Sequence, residues 1–343
     1  MKRPYRTIYL EKQAKERPLT SRILERLPDC PVVVVENYKQ VFNRPGQNQR
    51  LQKQSPALIL AVHPDPPIYP GPAICQNFGQ TRFVYTSFVQ NCPFDCSYCF
   101  LQGLYPSSDQ LIFVNPEDWA HRLAQMAEDG PLYAALSHDS DLLALQARFP
   151  LLDPLGDDWP QSPSIQAEIR TKSSWTGYYT QHQPRQNLIF AFSLAPQPLI
   201  DLYEPVTPTL RSRLLAARTA LDHGHPVRLC FDPVFADPAY DHLYETFFAE
   251  VFQTLDPTRL HDASYGFLRL PRTLYRRIIQ RRPNAPFLAE SLQLSGETVG
   301  YTAVRQAEIR QRHLNWLSSY LRKDQIFLVE DTEASCQFAD QTP

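Results

Sequence analysis

The chain has 343 residues, 43% of them hydrophobic and 20% charged, with a net charge of -2. That balance places it among globular chains and excludes disordered and fibrous ones. No apolar run reaches the roughly 20 residues that cross a bilayer, and the opening MKRPYRTIYLEKQAKERP lacks a signal-type apolar segment, so a soluble, cytoplasmic protein with no membrane partner is expected. A nucleic-acid surface would have to be a local basic patch.

In chain order, residues 1–80 alternate short apolar runs with polar turns: RTIYL, the helix-like SRILERL after Thr20, PVVVVENY and ALILAVH. They read as a small N-terminal α/β lead-in. Its end, HPDPPIYPGPAICQ, is too proline-rich for a central strand or a helix interior and reads as a linker. From Thr81 apolar runs alternate with helical segments, the pattern of βα units and a parallel sheet. Candidate strands cover 81–89, 131–136, 164–171, 187–194, 226–234 and 264–270, six in all. Asn115-Pro116 opens one helix, and Thr207-Pro208 opens another that Gly224 ends. A last amphipathic helix spans Arg305 to Lys323, followed by the strand-like IFLVE. The division is therefore a lead-in (1–80), a barrel-like body (81–304) and a C-terminal helix and strand (305–343).

Seven cysteines are an odd number, and Cys92, Cys96 and Cys99 crowd into NCPFDCSYCFLQG directly after the first candidate strand of the body. Clustered thiols in a long chain point to a reducing compartment and a metal centre rather than a disulfide framework. Three thiolates at C-x3-C-x2-C spacing can hold three irons of a 4Fe-4S cluster and leave the fourth open to a ligand. The alternative is structural zinc, which needs a fourth ligand and usually shows a second Cys or His pair. Cys230, inside an apolar strand, reads as a small core hydrophobe.

The cysteine spacing, with Tyr98 before the third cysteine and a strand in front, resembles the radical S-adenosylmethionine superfamily. Further fragments in order narrow the resemblance to the spore photoproduct lyase family, of which the chain looks like a divergent member. They are Gln52 to Pro56, Phe100-Leu101-Gln102, Arg170 to Lys172, Phe192-Ser193, Tyr203 to Thr207 and Asp232-Pro233. The resemblance implies an α/β fold built on a partial (β/α)6 barrel of TIM type, in agreement with the six strands, and a C-terminal helical extension. It implies a 4Fe-4S cluster on Cys92, Cys96 and Cys99. S-adenosylmethionine would be the cosubstrate, cleaved to a 5'-deoxyadenosyl radical that abstracts hydrogen. It further implies a carbon-carbon lyase of DNA-repair type and an electron donor such as flavodoxin or ferredoxin.

By the same resemblance Lys172 and Ser193, at strand carboxyl ends, contact the cosubstrate, Tyr98 packs near its adenine, and Ser140 and Asp141 belong to the catalytic loop. The plainer readings are a solvent-reaching lysine, a core aromatic and, for Glu168 and Arg170 on one strand face, an ion pair within the barrel. The chain departs from the lyase pattern twice. Ser137 to Ser140 contain no cysteine to return a hydrogen atom, and Phe100 stands where a tyrosine is expected. The resemblance therefore implies radical generation without the lyase's hydrogen-return route, unless Cys30, Cys75, Cys230 or Cys336 reaches the radical from elsewhere.

Six arginines from Arg269 to Arg282, among them Arg272 and Arg276 on one helix face, can neutralise phosphates or form a solvated face. Tyr301 and Arg305 match the family's lesion-side hairpin, where Thr298 and Gly300 replace basic residues. DNA is thus a candidate partner, and the other functional readings are a radical enzyme on a non-nucleic-acid substrate and a zinc-stabilised nucleic-acid-binding protein.

Overall fold

The computed structural model describes residues 3–153 and 164–329. Its strands, in chain order, are β1 (Ile8–Glu11), β2 (Val32–Val35), β3 (Leu58–Ala61), β4 (Ile68–Pro70), β5 (Phe83–Thr86), β6 (Val89–Gln90), β7 (Gln110–Phe113) and β8 (Leu132–Ala135). They continue with β9 (Ile165–Thr171), β10 (Leu188–Ser193), β11 (Val227–Val234), β12 (Asp262–Phe267), β13 (Arg269–Pro271), β14 (Gln293–Ser295), β15 (Thr298–Gly300) and β16 (Ile326–Leu328).

The large sheet runs β16-β12-β11-β10-β9-β8-β5-β4. Strands β5, β8, β9, β10, β11 and β12 lie side by side in chain order, all parallel, and correspond to the six strands expected from the sequence. They curl into a half-barrel. Every residue of β10 and β12 is buried, as strands covered on both faces must be. The helices Pro116–Glu128, Leu210–Asp222 and Asp241–Thr254 supply crossovers. Two additions close the edges: β16 pairs parallel to β12, and β4 pairs antiparallel to β5. Strand β4 comes from the proline-rich stretch read as a linker, and Pro70 is tolerated because the strand is an edge.

The lead-in forms a second sheet, β2-β1-β3-β7-β6, in which β6 and β7 come from beyond residue 80. Residues on both sides of that expected boundary therefore share one sheet. A small antiparallel sheet, β13-β15-β14, sits at the barrel mouth.

Local ends differ from expectation in two places. The helix Leu210–Asp222 is capped by Thr209, whose side chain accepts from Ser212 N, so the start lies beyond Thr207-Pro208; Gly224, at φ +80°, follows its end. The last long helix is Ala303–Leu317, capped by Thr302, shorter than the expected 305–323. Glu330, the end of IFLVE, and Cys336 lie outside the described residues.

Candidate active site

The carboxyl ends of parallel strands line the mouth of a barrel, where ligands bind. Here the mouth holds an open cavity of about 220 Å³ whose wall includes Tyr98, Cys99, Lys172, Ser193, Asp232 and Arg269. Tyr98, Cys99, Lys172, Ser193 and Arg269, expected from the sequence as site residues, thus meet on one wall, beside Phe100, Arg170 and Asp232.

The cysteine loop leaves β6 through Asn91, which turns the chain in the left-handed region at φ +67° and holds its amide on the carbonyls of Ser107 and Asp109. Lys53 donates to the carbonyls of Cys92 and Phe94, both at 2.9 Å, and Gln52 donates to Ser107 Oγ and Asp109 Oδ2. The Gln52 to Pro56 fragment is therefore a latch on the loop. From the other side, Arg282 pairs with Asp95 at 2.7 Å, Arg281 donates to the carbonyls of Gln102 and Tyr105, and Arg277 to that of Gly103. Gly103 permits this approach, because a Cβ there would stand 2.9 Å from Leu274 O.

Burial pushes the Cys92 thiol up to about 12 and raises Cys96 and Cys99. Lys53 and Lys172 act against that rise, favouring the thiolate forms that a metal takes as ligands. No three His, Cys, Asp or Glu side chains among the described residues stand close enough to hold a single metal ion. Three thiols on one latched loop are the donor set for three irons of an iron-sulfur cluster, and a zinc ion would need a fourth ligand besides them.

Glu204 organises the cosubstrate side. It is buried, accepts from the Tyr98 hydroxyl, forms an ion pair with the buried Arg213 and stands 3.7 Å from Lys172 Nζ. Arg213 also donates to Ser193 O at 2.9 Å. Burial alone would raise the Glu204 carboxyl, but Lys172 and Arg213 hold it below the usual range. Burial would likewise lower Lys172, and Glu204 with Cys96 keeps it up, so the lysine stays charged on the cavity wall. Neither Glu204 nor Arg213 was singled out from the sequence as a site residue, although the Tyr203 to Thr207 fragment contains Glu204.

Ser140 and Asp141 lie behind the wall. Ser140 Oγ donates to Asn91 O at 2.9 Å, and Asp141 accepts from Thr171 Oγ1, from Lys172 N at 2.7 Å and from Ala144 N. In this geometry they fix the cysteine loop and the Lys172 backbone.

On the substrate side, Arg170 bonds Glu168 at 3.0 Å and stands 3.7 Å from Asp232, and Arg269 bonds Asp232 and the Ile74 carbonyl. Below them Arg228 is buried between Glu168 and Asp262. The pairing of Glu168 with Arg170 within the barrel is the plainer of the two sequence readings. Arg272 lies 3.8 Å from Glu297, while Arg276 is exposed. Tyr301 donates to Glu290, and Arg305 to Asp241 and Ala236 O, so the geometry gives both hairpin residues structural partners.

A curled half-barrel with a three-cysteine loop at its mouth defines a mixed α/β protein of the partial-barrel class. Among proteins of that class, the chain has the fold of spore photoproduct lyase. A solved single-site mutant of that enzyme superposes with a TM-score of 0.80 over 96% of this chain and 99% of its own, at 17% identity. Another, a double mutant with bound AdoMet and dinucleoside spore photoproduct, gives 0.77 over the same shares at 16% identity. In sequence, the chain is similar to spore photoproduct lyase of Bacillus subtilis (strain 168), 21% identical over 271 residues, 76% of this chain and 77% of the relative. The enzyme of Geobacillus sp. (strain Y412MC61) is 21% identical over 287 residues, 80% and 82% of the two chains. No family model matches. No helix among the described residues is long and apolar enough to cross a membrane.

Proposed function

We propose that this chain is a radical S-adenosylmethionine enzyme of the spore photoproduct lyase type, holding a 4Fe-4S cluster on Cys92, Cys96 and Cys99. The observation that carries this reading is the shared cavity wall, on which Cys99 and Tyr98 of the loop meet Lys172 and Ser193 of the strand ends. When bound, the cluster would supply the electron that cleaves S-adenosylmethionine to a hydrogen-abstracting radical. Lys172 would hold the methionine carboxylate, its charge maintained by Glu204. Tyr98, fixed by the same carboxylate, offers a ring face to the adenine. Ser193, with its carbonyl held by Arg213, faces the ribose. The electron donor would be a ferredoxin- or flavodoxin-like carrier, and the cell compartment reducing, hence cytoplasmic.

The substrate of this reading is a modified nucleic acid of dinucleoside size, as bound by the similar lyase. One observation favours a second substrate class. Arg277, Arg281 and Arg282 bind the cysteine loop, which leaves exposed Arg276 without that engagement in a row that the sequence offers to phosphates. A small molecule that fits the mouth is therefore the alternative. Anaerobic reconstitution tests the reading: about four irons per chain and a brown colour are expected for the cluster, against a colourless zinc protein. Adding S-adenosylmethionine and dithionite should then give 5'-deoxyadenosine.

A further inference from the structure

Two stretches of the chain carry no acidic residue: 37–64, with Lys39, Arg44, Arg50 and Lys53, and 263–289, with six arginines. In a chain of net charge -2 such runs are local exceptions. Far apart in sequence, they meet in the fold. The turn from Asn43 to Arg50 and the side chain of Arg281 bound an open depression of about 540 Å³, with no carboxylate among its described lining residues. Tyr105 O joins the two stretches, accepting from Gln49 Nε2 at 2.7 Å and from Arg281 Nη1 at 3.0 Å. Gln47 fixes the turn by donating to the carbonyls of Phe42 and Arg44, and Gly46 completes it at φ +69°.

The arginines of this face lack carboxylate partners. Arg272 and Arg282 face Glu297 and Asp95, but Arg44, Arg50, Arg276, Arg277 and Arg281 form no ion pair among the described residues, and all of these except half-buried Arg281 are exposed. On other surfaces Arg22, Arg122 and Arg259 each have a carboxylate. Arg277 and Arg281 lie four apart on one helix face, and burial together with the Arg277 charge pushes the Arg281 guanidinium below its ordinary value. Like charges gathered on one face repel one another, and an anionic partner relieves that repulsion.

The same face backs the cysteine loop. Lys53 donates to the Cys92 carbonyl, Arg281 to that of Gln102 and Arg277 to that of Gly103. Yet the depression shares no lining residue with the cavity at the mouth. A partner seated on it lies against the loop that carries the thiols and leaves the mouth open to substrate. No aromatic side chain lines the depression to stack the bases of a single strand, whereas arginine forks suit the surface carboxylates of a protein.

We infer that this face docks an acidic one-electron carrier protein of the flavodoxin or ferredoxin class, an inference that rests on the radical reading proposed above. One electron leaves the carrier's reduced flavin or iron-sulfur group and enters the metal centre of the cysteine loop. The carrier is oxidised by one electron, the centre is reduced by one, and no proton moves. Encounters of this kind are brief and small in area, and complementary charge sets their rate.

The first test needs no cluster: titration calorimetry of the iron-free full chain with oxidised flavodoxin and, separately, oxidised ferredoxin, at low and high salt. At least one carrier should bind, and more weakly as salt rises. Arg44→Glu combined with Arg50→Glu should weaken that binding about tenfold or more, with Arg44→Gln and Arg50→Gln together intermediate. In the reconstituted protein the charge reversals should slow 5'-deoxyadenosine formation driven by the reduced carrier to a similar degree. Formation driven by dithionite should stay at the parental rate. Binding of neither carrier to the parent, or equal affinity in parent and variants, overturns the inference. So does a loss of affinity for a single-stranded oligonucleotide, read by fluorescence anisotropy, with carrier affinity kept, because the face then belongs to nucleic acid. An equal fall with dithionite and with carrier overturns it too, since damage to the site explains both. All these outcomes leave the radical reading standing. An iron-loaded parent that gives no 5'-deoxyadenosine under dithionite overturns the radical reading and, with it, this role of the face.

Discussion

The two sides of the barrel mouth are built differently. On the cosubstrate side Glu204 pairs with Arg213 and Lys172, and Asp141 accepts from the Lys172 backbone amide. Lys172 and Glu204 fall in the family fragments read from the sequence, and Arg213 does not. On the substrate side the family pattern breaks at Phe100 and at Ser137 to Ser140, and Cys75 reaches the cavity wall from a segment before β5. The difference teaches that both sides share the barrel's charge network, through Glu204 on one and through Glu168 and Asp232 on the other, whereas the departures from the family pattern fall on loops outside the strands.

The comparison breaks most completely at the loop the two sides share. Cys92→Ala, Cys96→Ala and Cys99→Ala should each abolish iron loading, while Cys230→Ala keeps it; iron analysis after reconstitution checks this, and equal loss from Cys230→Ala would unseat the ligand assignment. Next in size, Glu204→Ala leaves Arg213 buried without its carboxylate. Removing one partner of a buried pair costs about 3 to 5 kcal/mol, so chemical denaturation should show a large fall in midpoint. A shift within error would mean that the hub is dispensable.

Lys172→Ala should weaken S-adenosylmethionine binding at least about tenfold with iron content unchanged, since a charge-assisted contact is worth about 1.5 to 3 kcal/mol. Ser193→Ala should have a smaller effect, and titration calorimetry separates the two. An unchanged affinity in both would move the cosubstrate elsewhere. The smallest effects belong to the arginine row. Arg282→Ala should loosen the Asp95 side of the cysteine loop and cost about 1 kcal/mol, whereas exposed Arg276→Ala should leave stability unchanged within about 0.5 kcal/mol. The reverse order would restore the row to the solvent face.

The half-barrel was legible because its six strands are apolar runs long enough to alternate visibly with helices, and the cysteine loop because its three thiols are close in sequence. What escaped has a common cause. Strands β4 and β6 span three and two residues, too short for a periodic signal, and β4 is proline-rich. Glu204 meets Tyr98 across 106 positions of sequence, and no local pattern announces such a contact. The arginine row looked like a phosphate surface because its helical spacing is plain, while the close approach of Gly103 that turns part of it toward the loop exists only in the fold. Cys75 sits in a segment whose prolines spoke for a linker; its place on the cavity wall is a tertiary fact.

The central claim, that this mouth generates a radical from S-adenosylmethionine, is tested most directly by measuring 5'-deoxyadenosine from anaerobically reconstituted protein given S-adenosylmethionine and dithionite. The account predicts 5'-deoxyadenosine from the parent protein, lost in Cys99→Ala. A parent protein that carries a full complement of iron and yields no 5'-deoxyadenosine would contradict it.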